Sequence, residues 1–229
     1  MAVAQLGYEA ALRLADPVAE LQIGRVLGVA LMAVGQLDEA EQLLRELLAR
    51  AQRHGERALE AKLRYNLSLL AGLRGDPHDA LAQLEYVLPL ERALGNLREV
   101  ALCLNAMAYD RAQLGDAEEA VQLCQESLGL LEQAGAGRWE MNVRDTLGFA
   151  LHRLGRVDEA AENLQTALAL ARDAGNVLLQ LPALLHLGDC HRSAGRPEQA
   201  EDCWTQALHL AGDRDDSEVD QLRQRLGLA

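Results

Sequence analysis

The sequence predicts an all-α fold: an α-α superhelix, or solenoid, of five helix–turn–helix repeats with a capping helix at each end. Three observations carry that prediction. Glycine recurs at positions 35, 75, 115, 155 and 195, and a second series runs 55, 95, 135 and 175. Alanine recurs at 40, 80, 120, 160 and 200, so all three series step by forty residues. A constant period of this size is the signature of stacked supersecondary units, each too small to bury its own apolar face.

The segments between the markers read as helices. Leu43, Leu44, Leu47 and Leu48 form an apolar stripe on one helix face, and Leu84, Val87 and Leu88 repeat it. Leu123, Leu128 and Leu131, then Leu164 and Leu168, then Trp204 and Leu208 continue the series. No segment alternates apolar and polar residues as a half-buried strand does. The first helix of each repeat should end at Gly35 or its equivalent, where a left-handed residue costs glycine little. The second should begin near Asp38, Asp116 or Asp158, which would cap free N–H groups and suit the helix dipole. Asp16-Pro17 reads as another start, with Asp16 as cap. Each helix should run roughly 14 residues, or about 21 Å.

The predicted organisation follows. Residues 1–16 form a partial first repeat, residues 17–56, 57–96, 97–136, 137–176 and 177–212 the five repeats, and residues 213–229 a terminal helix. In that last helix Val219, Leu222 and Leu226 share one face, and Ser217 with Asp220 makes a weak capping box. The abrupt entry at residue 1 points to a fragment of a larger protein.

Composition narrows the function. There are 22 basic and 35 acidic residues, a net charge of −13, which repels phosphate and disfavours direct nucleic-acid binding by this segment. Anionic membrane surfaces are disfavoured for the same reason. Cys103, Cys124, Cys190 and Cys203 form no C-x-x-C pair and read as reduced, partly buried thiols. The N-terminus lacks a basic stretch followed by an apolar run, and the apolar run from Val26 to Val34 is short of the about 20 residues a span needs. A cytoplasmic protein is expected. Phosphate-loop, dinucleotide, zinc-protease and nucleophile-elbow motifs are all missing, so neither an enzyme nor a cofactor is expected. His186 and Cys190 share a helix face with His191 next to them, but no fourth ligand accompanies them. Packing is the better reading there, and no metal is expected. Trp139 and Trp204 also read as packing residues.

Three segments, LGVALMAVGQLDEA (27–40), LGFALHRLGRVDEA (147–160) and LGDCHRSAGRPEQA (187–200), resemble the tetratricopeptide repeat in a forty-residue form. The small residue after leucine falls at Gly28, Ser68, Ala108, Gly148 and Gly188. The aromatic of the family's second helix falls on Leu44, Leu84, Cys124, Leu164 and Trp204, so one repeat keeps it. The resemblance covers about residues 20–212, and its style is similar to the sensor arms of actinobacterial transcription regulators.

In that family the first helices line a concave groove. The resemblance therefore places Arg25, Tyr65, Asn105, Tyr109, Asn142, Asp145, Phe149, His152, Asp189 and Arg192 in a partner-binding groove, with Gln22 beside them. Arg25, Tyr65, Asn105, Asp145 and Leu185 would form one stripe that runs from basic through polar to acidic and apolar. The implied function is a protein- or peptide-binding scaffold, the sensor or interaction part of a bacterial regulator. Two alternatives stay open: a small-molecule effector domain, and self-association into a homodimer.

Overall fold

The computed structural model describes residues 2–14, 17–212 and 217–228. Among them the regular structure is helical throughout. The chain runs α1 (Ala2–Leu14), α2 (Pro17–Ala33), α3 (Leu37–His54), α4 (Arg57–Leu73), α5 (Pro77–Leu94) and α6 (Leu97–Leu114). It continues with α7 (Ala117–Gln133), a 3₁₀ turn (Gly137–Trp139), α8 (Glu140–Arg153), α9 (Val157–Asp173), α10 (Val177–Ser193), α11 (Pro197–Ala211) and α12 (Ser217–Arg225). Most helices hold 17 or 18 residues, longer than the period alone implied, because the turns between them take only two or three. No helix among the described residues is long and apolar enough to cross a membrane.

The chain divides into two compact units, Met1–Ala106 and Met107–Ala229, with the boundary inside α6. In the first unit α2 packs on α3, α3 on α4 and α4 on α5, with α1 against α2. Leu21, Leu44, Leu47 and Leu63 are fully enclosed there, each stabilising the fold by about 1.5–3 kcal/mol relative to exposure. Glu20, nearly buried on α2, is held by the guanidinium of Arg50 on α3, with one N–O distance of 2.5 Å. That pairing offsets the cost of taking the carboxylate out of water.

In the second unit α7, α8, α9, α10 and α11 pack in succession, and α12 closes on α11 through buried Val219 and Leu222. The four cysteines are buried and free.

The glycine series ends helices as the sequence predicts. Gly35 has φ +78° and Gly155 +76°, a region where any Cβ is strained. The capping prediction needs correction. Asp38 and Asp158 lie inside the first turn, and Asp116, though at the N-cap, accepts no hydrogen bond from the helix start. The backbone does the work instead: Leu37 N donates to Gly35 O at 2.9 Å and Ala40 N to Gln36 O at 3.0 Å. The aspartates are thereby released to arginines, Asp38 to Arg74 at 2.5 Å and Asp116 to Arg111 at 3.5 Å. Side-chain caps occur where the sequence reading missed them. Asp76 accepts from Asp79 N at 3.0 Å and Asn176 from Leu179 N at 3.3 Å. The proposed cap at Asp16 and the side chain of Ser217 lie outside the described residues. A 3₁₀ turn precedes α8, since Ala136 at its N-cap has no capping side chain and Gly137 has little helical preference.

What sets the helix spacing is a close approach at the recurring small residue. A Cβ added at Gly28 would stand 2.7 Å from Leu44 Cδ2, and one at Gly148 2.5 Å from Leu164 Cγ. At Gly188 it would strike the indole of Trp204, whose Nε1 donates to Leu185 O at 3.3 Å. Gly72, also helical, has open space at the same point. Gly188→Ala should therefore destabilise the protein by about 1–3 kcal/mol. Gly72→Ala should stabilise it by about 0.5–1 kcal/mol through helix preference alone. Urea denaturation of the two variants reads both, and equal signs would refute the packing account.

Candidate functional site

The predicted groove residues fall into both units and are described unit by unit. In the first, Arg25 on α2 is half-buried, and its Nε is sealed from solvent without a hydrogen-bond partner. Tyr65 on α4 is half-buried too, and burial, with the Cys103 thiol and Glu99 nearby, pushes its hydroxyl well above the usual tyrosine range. Asn105 on α6 is half-buried, and its Oδ1 is sealed and unpartnered. Gln22 is exposed.

The second unit gathers the rest. Tyr109 on α6, Phe149 on α8 and His186 on α10 form a row of rings. Centroids lie 5.5 Å apart for Tyr109 and Phe149, and 5.0 Å for Phe149 and His186. Such spacings give offset or tilted aromatic contact worth about 0.5–1.5 kcal/mol per pair beyond burial. Tyr109 is exposed, Phe149 half-buried. One end of the row is ionic. His186 Nδ1 stands 3.1 Å from Asp145 Oδ1. Burial works against the charged imidazole, but Asp145, with Asp189 behind it, outweighs that and raises the His186 pKa.

The other polar groups surround the rings. Asp189 on α10 accepts two bonds from Arg225 of α12, at 2.7 and 2.8 Å. His152, one turn beyond Phe149 on α8, lies 2.8 Å from Ser193 Oγ on α10. Burial lowers the pKa of His152, with Asp189 opposing. Asn142 is half-buried on α8, its Oδ1 sealed and unpartnered. Arg192 is exposed, its guanidinium 5.0 Å over the Trp204 ring and 3.5 Å from Asp189. Leu185, placed in the stripe by period, is buried and faces the core.

Sequence reasoning missed His186, Ser193 and Arg225. His186 was read as a core residue beside Cys190, and Cys190 is indeed buried, but the imidazole turns to Asp145. A signal was present: Asp145–His186 and His152–Ser193 are each 41 residues apart, one more than the period. At these two points α8 and α10 face each other with that one-residue offset. A separate cleft between α7 and α8 is lined by Leu128, Gly129, Glu132 and Arg144. It contains no ring, and Arg144 there is engaged by Glu140 and Asn163 at 2.6 and 3.1 Å.

The arrangement offers flat apolar surface, donors and acceptors within a few ångströms of one another, which suits recognition of a mixed polar and apolar segment. Family models described as tetratricopeptide repeat match residues 99–173 and 139–213, residues 25–54 and residues 61–85. A search of curated proteins gave no match. Among solved structures, BtubC (BKLC) from P. vanneervenii is 25% identical over 94% of this chain and 92% of that one, with a TM-score of 0.70. NprR in complex with its cognate peptide NprX is 18% identical over 93% of this chain and 60% of that one, with a TM-score of 0.72. Bacillus thuringiensis PlcR in complex with the peptide PapR7 and DNA is 15% identical over 91% of this chain and 74% of that one, with a TM-score of 0.68. With the last two the likeness is one of fold.

Asp110, beside Tyr109 on α6, is 5% exposed, and burial pushes its carboxyl up to about 7. A carboxyl raised in the folded state binds its proton more tightly than in the unfolded chain. Stability is then greatest below the ordinary carboxyl range and falls as pH rises toward 7. Asp110→Asn should stabilise the protein above that pH by an amount on the order of 2–4 kcal/mol and have little effect near pH ~4. Denaturation at the two pH values checks the difference, and an equal effect at both would refute it.

Proposed function

The chain belongs to the tetratricopeptide-repeat family, and on that premise we propose that it is a peptide-binding scaffold, the sensor or interaction part of a bacterial regulator. The observation that carries this reading is the ring row Tyr109, Phe149 and His186, bordered by Asp145, His152 and Asp189 in one unit. Aromatic and charged groups that converge on one surface are typical anchors for a partner. The peptides held by NprR and by PlcR support the choice of a peptide over other ligands. On this reading Arg25, Tyr65 and Asn105 belong to the partner surface of the first unit, and Asn142 and Arg192 to that of the second. The helix pairs α2–α3 through α10–α11 are taken as five repeats, with α1 and α12 as flanking helices. The net charge of −13 supports a partner other than nucleic acid for this segment.

Panning phage-displayed random peptides against the immobilised chain tests the proposal. A synthesised winner should lose about tenfold or more in affinity to Phe149→Ala and to Tyr109→Ala, the loss typical of a single anchor. Circular dichroism checks that both variants remain folded. Failure to enrich any peptide, or full affinity in both variants, would sink the groove.

A further inference from the structure

The geometry points to Nε2 of His186 as the hydrogen-bond group with which the second unit grips its peptide, donating to an oxygen acceptor of the ligand. The inference rests on the peptide-binding reading above and adds the chemistry of one contact.

Three observations support it. The first is orientation. Asp145 Oδ1 stands 3.1 Å from Nδ1, so that nitrogen keeps its proton and the ring is held in one pose. The second is vacancy. Among the described residues His186 has no other hydrogen bond, and Nε2 is not among the atoms sealed from solvent, although the side chain as a whole is 13% exposed. Within a largely enclosed imidazole, Nε2 is thus a polar nitrogen that keeps some access to solvent and has no protein partner. The third is surroundings. Phe149 lies against the ring at 5.0 Å and Tyr109 against Phe149 at 5.5 Å. This apolar neighbourhood strengthens a hydrogen bond made there.

The charges that face the ring come from several helices. Asp145 and His152 lie on α8, Asp189 on α10 and Arg225 on α12. Cys124 on α7 faces Asp145 from behind. Among the described residues no charged group of α9 or α11 is among those acting on the imidazole. Asp189 is neutralised by Arg225, which leaves Asp145 as the carboxylate that sustains an imidazolium.

The sign of the pH effect follows. In the neutral ring Nδ1 carries the proton and Nε2 is an acceptor. In the imidazolium Nε2–H is a donor. A ligand oxygen at that point favours the charged ring, so binding takes up a proton and weakens as pH rises through the raised His186 pKa.

The test uses the full chain and the panned peptide. Affinity should fall about tenfold between about pH 6 and about pH 8, the effect of a one-unit shift on binding. His186→Gln keeps a donor but cannot titrate, so its affinity should be flat across that range. Asp145→Asn removes the partner carboxylate and should move the transition to lower pH. Replacing each Asp or Glu of the peptide by its amide separates the two oxygen sources. Loss of the pH effect identifies a carboxylate, and its survival identifies a backbone carbonyl. A flat profile in the unmodified chain, or an unchanged profile in His186→Gln, overturns this inference and leaves the groove standing. Recovery of no peptide overturns both.

Discussion

Three of the helix pairs, α2–α3, α8–α9 and α10–α11, meet where an added Cβ would clash. At Gly28, Gly148 and Gly188 the second helix presses Leu44, Leu164 or Trp204 onto bare backbone. Interiors packed to crystal density cannot absorb an added methyl at such a point without moving a helix. That spacing determines how far a first helix sits from its partner, and so which residues of the first helix remain outside. Phe149 follows Gly148 directly, and Asp189 follows Gly188. The residue next to the close contact is turned away from the partner helix, so Phe149 reaches the ring row and Asp189 reaches Arg225.

The second unit orders the side chains on that face. The rings of Tyr109, Phe149 and His186 come from three successive first helices, and each can touch the next only because the helices keep their spacing. Charges that enter the same space are matched within the unit, Asp145 with His186 and Asp189 with Arg225. Unmatched, each carboxylate would cost several kcal/mol in a poorly hydrated place. Asp110 is the exception, a carboxyl buried beside the row and raised toward neutrality in consequence. Close packing and a partly uncompensated polar group coexist here.

The comparison of sequence with structure turns on particular residues. The helix-ending glycines were legible because positive φ is a local demand that glycine alone meets easily. The convergence of side chains in the second unit was legible in part. Tyr109, Asp145, Phe149, His152 and Asp189 do converge, whereas Leu185 on the same period lies in the core. Helix starts were misread because a capping side chain and a salt-bridging side chain are the same residue type. Asp38 and Asp116 chose arginines once backbone carbonyls had taken the helix N–H groups. His186 was misjudged because a period of forty predicts equivalence, not contact, and its partner stands 41 residues away.

The sequence by itself determined the all-α class, the forty-residue period, the turn glycines and the apolar face of the second helices. These follow from backbone sterics and from an apolar spacing that only a helix can bury. Tertiary structure decided which polar side chains meet: His186 with Asp145, His152 with Ser193, Arg225 with Asp189. Such pairings depend on the offset between packed helices, a distance no single helix encodes.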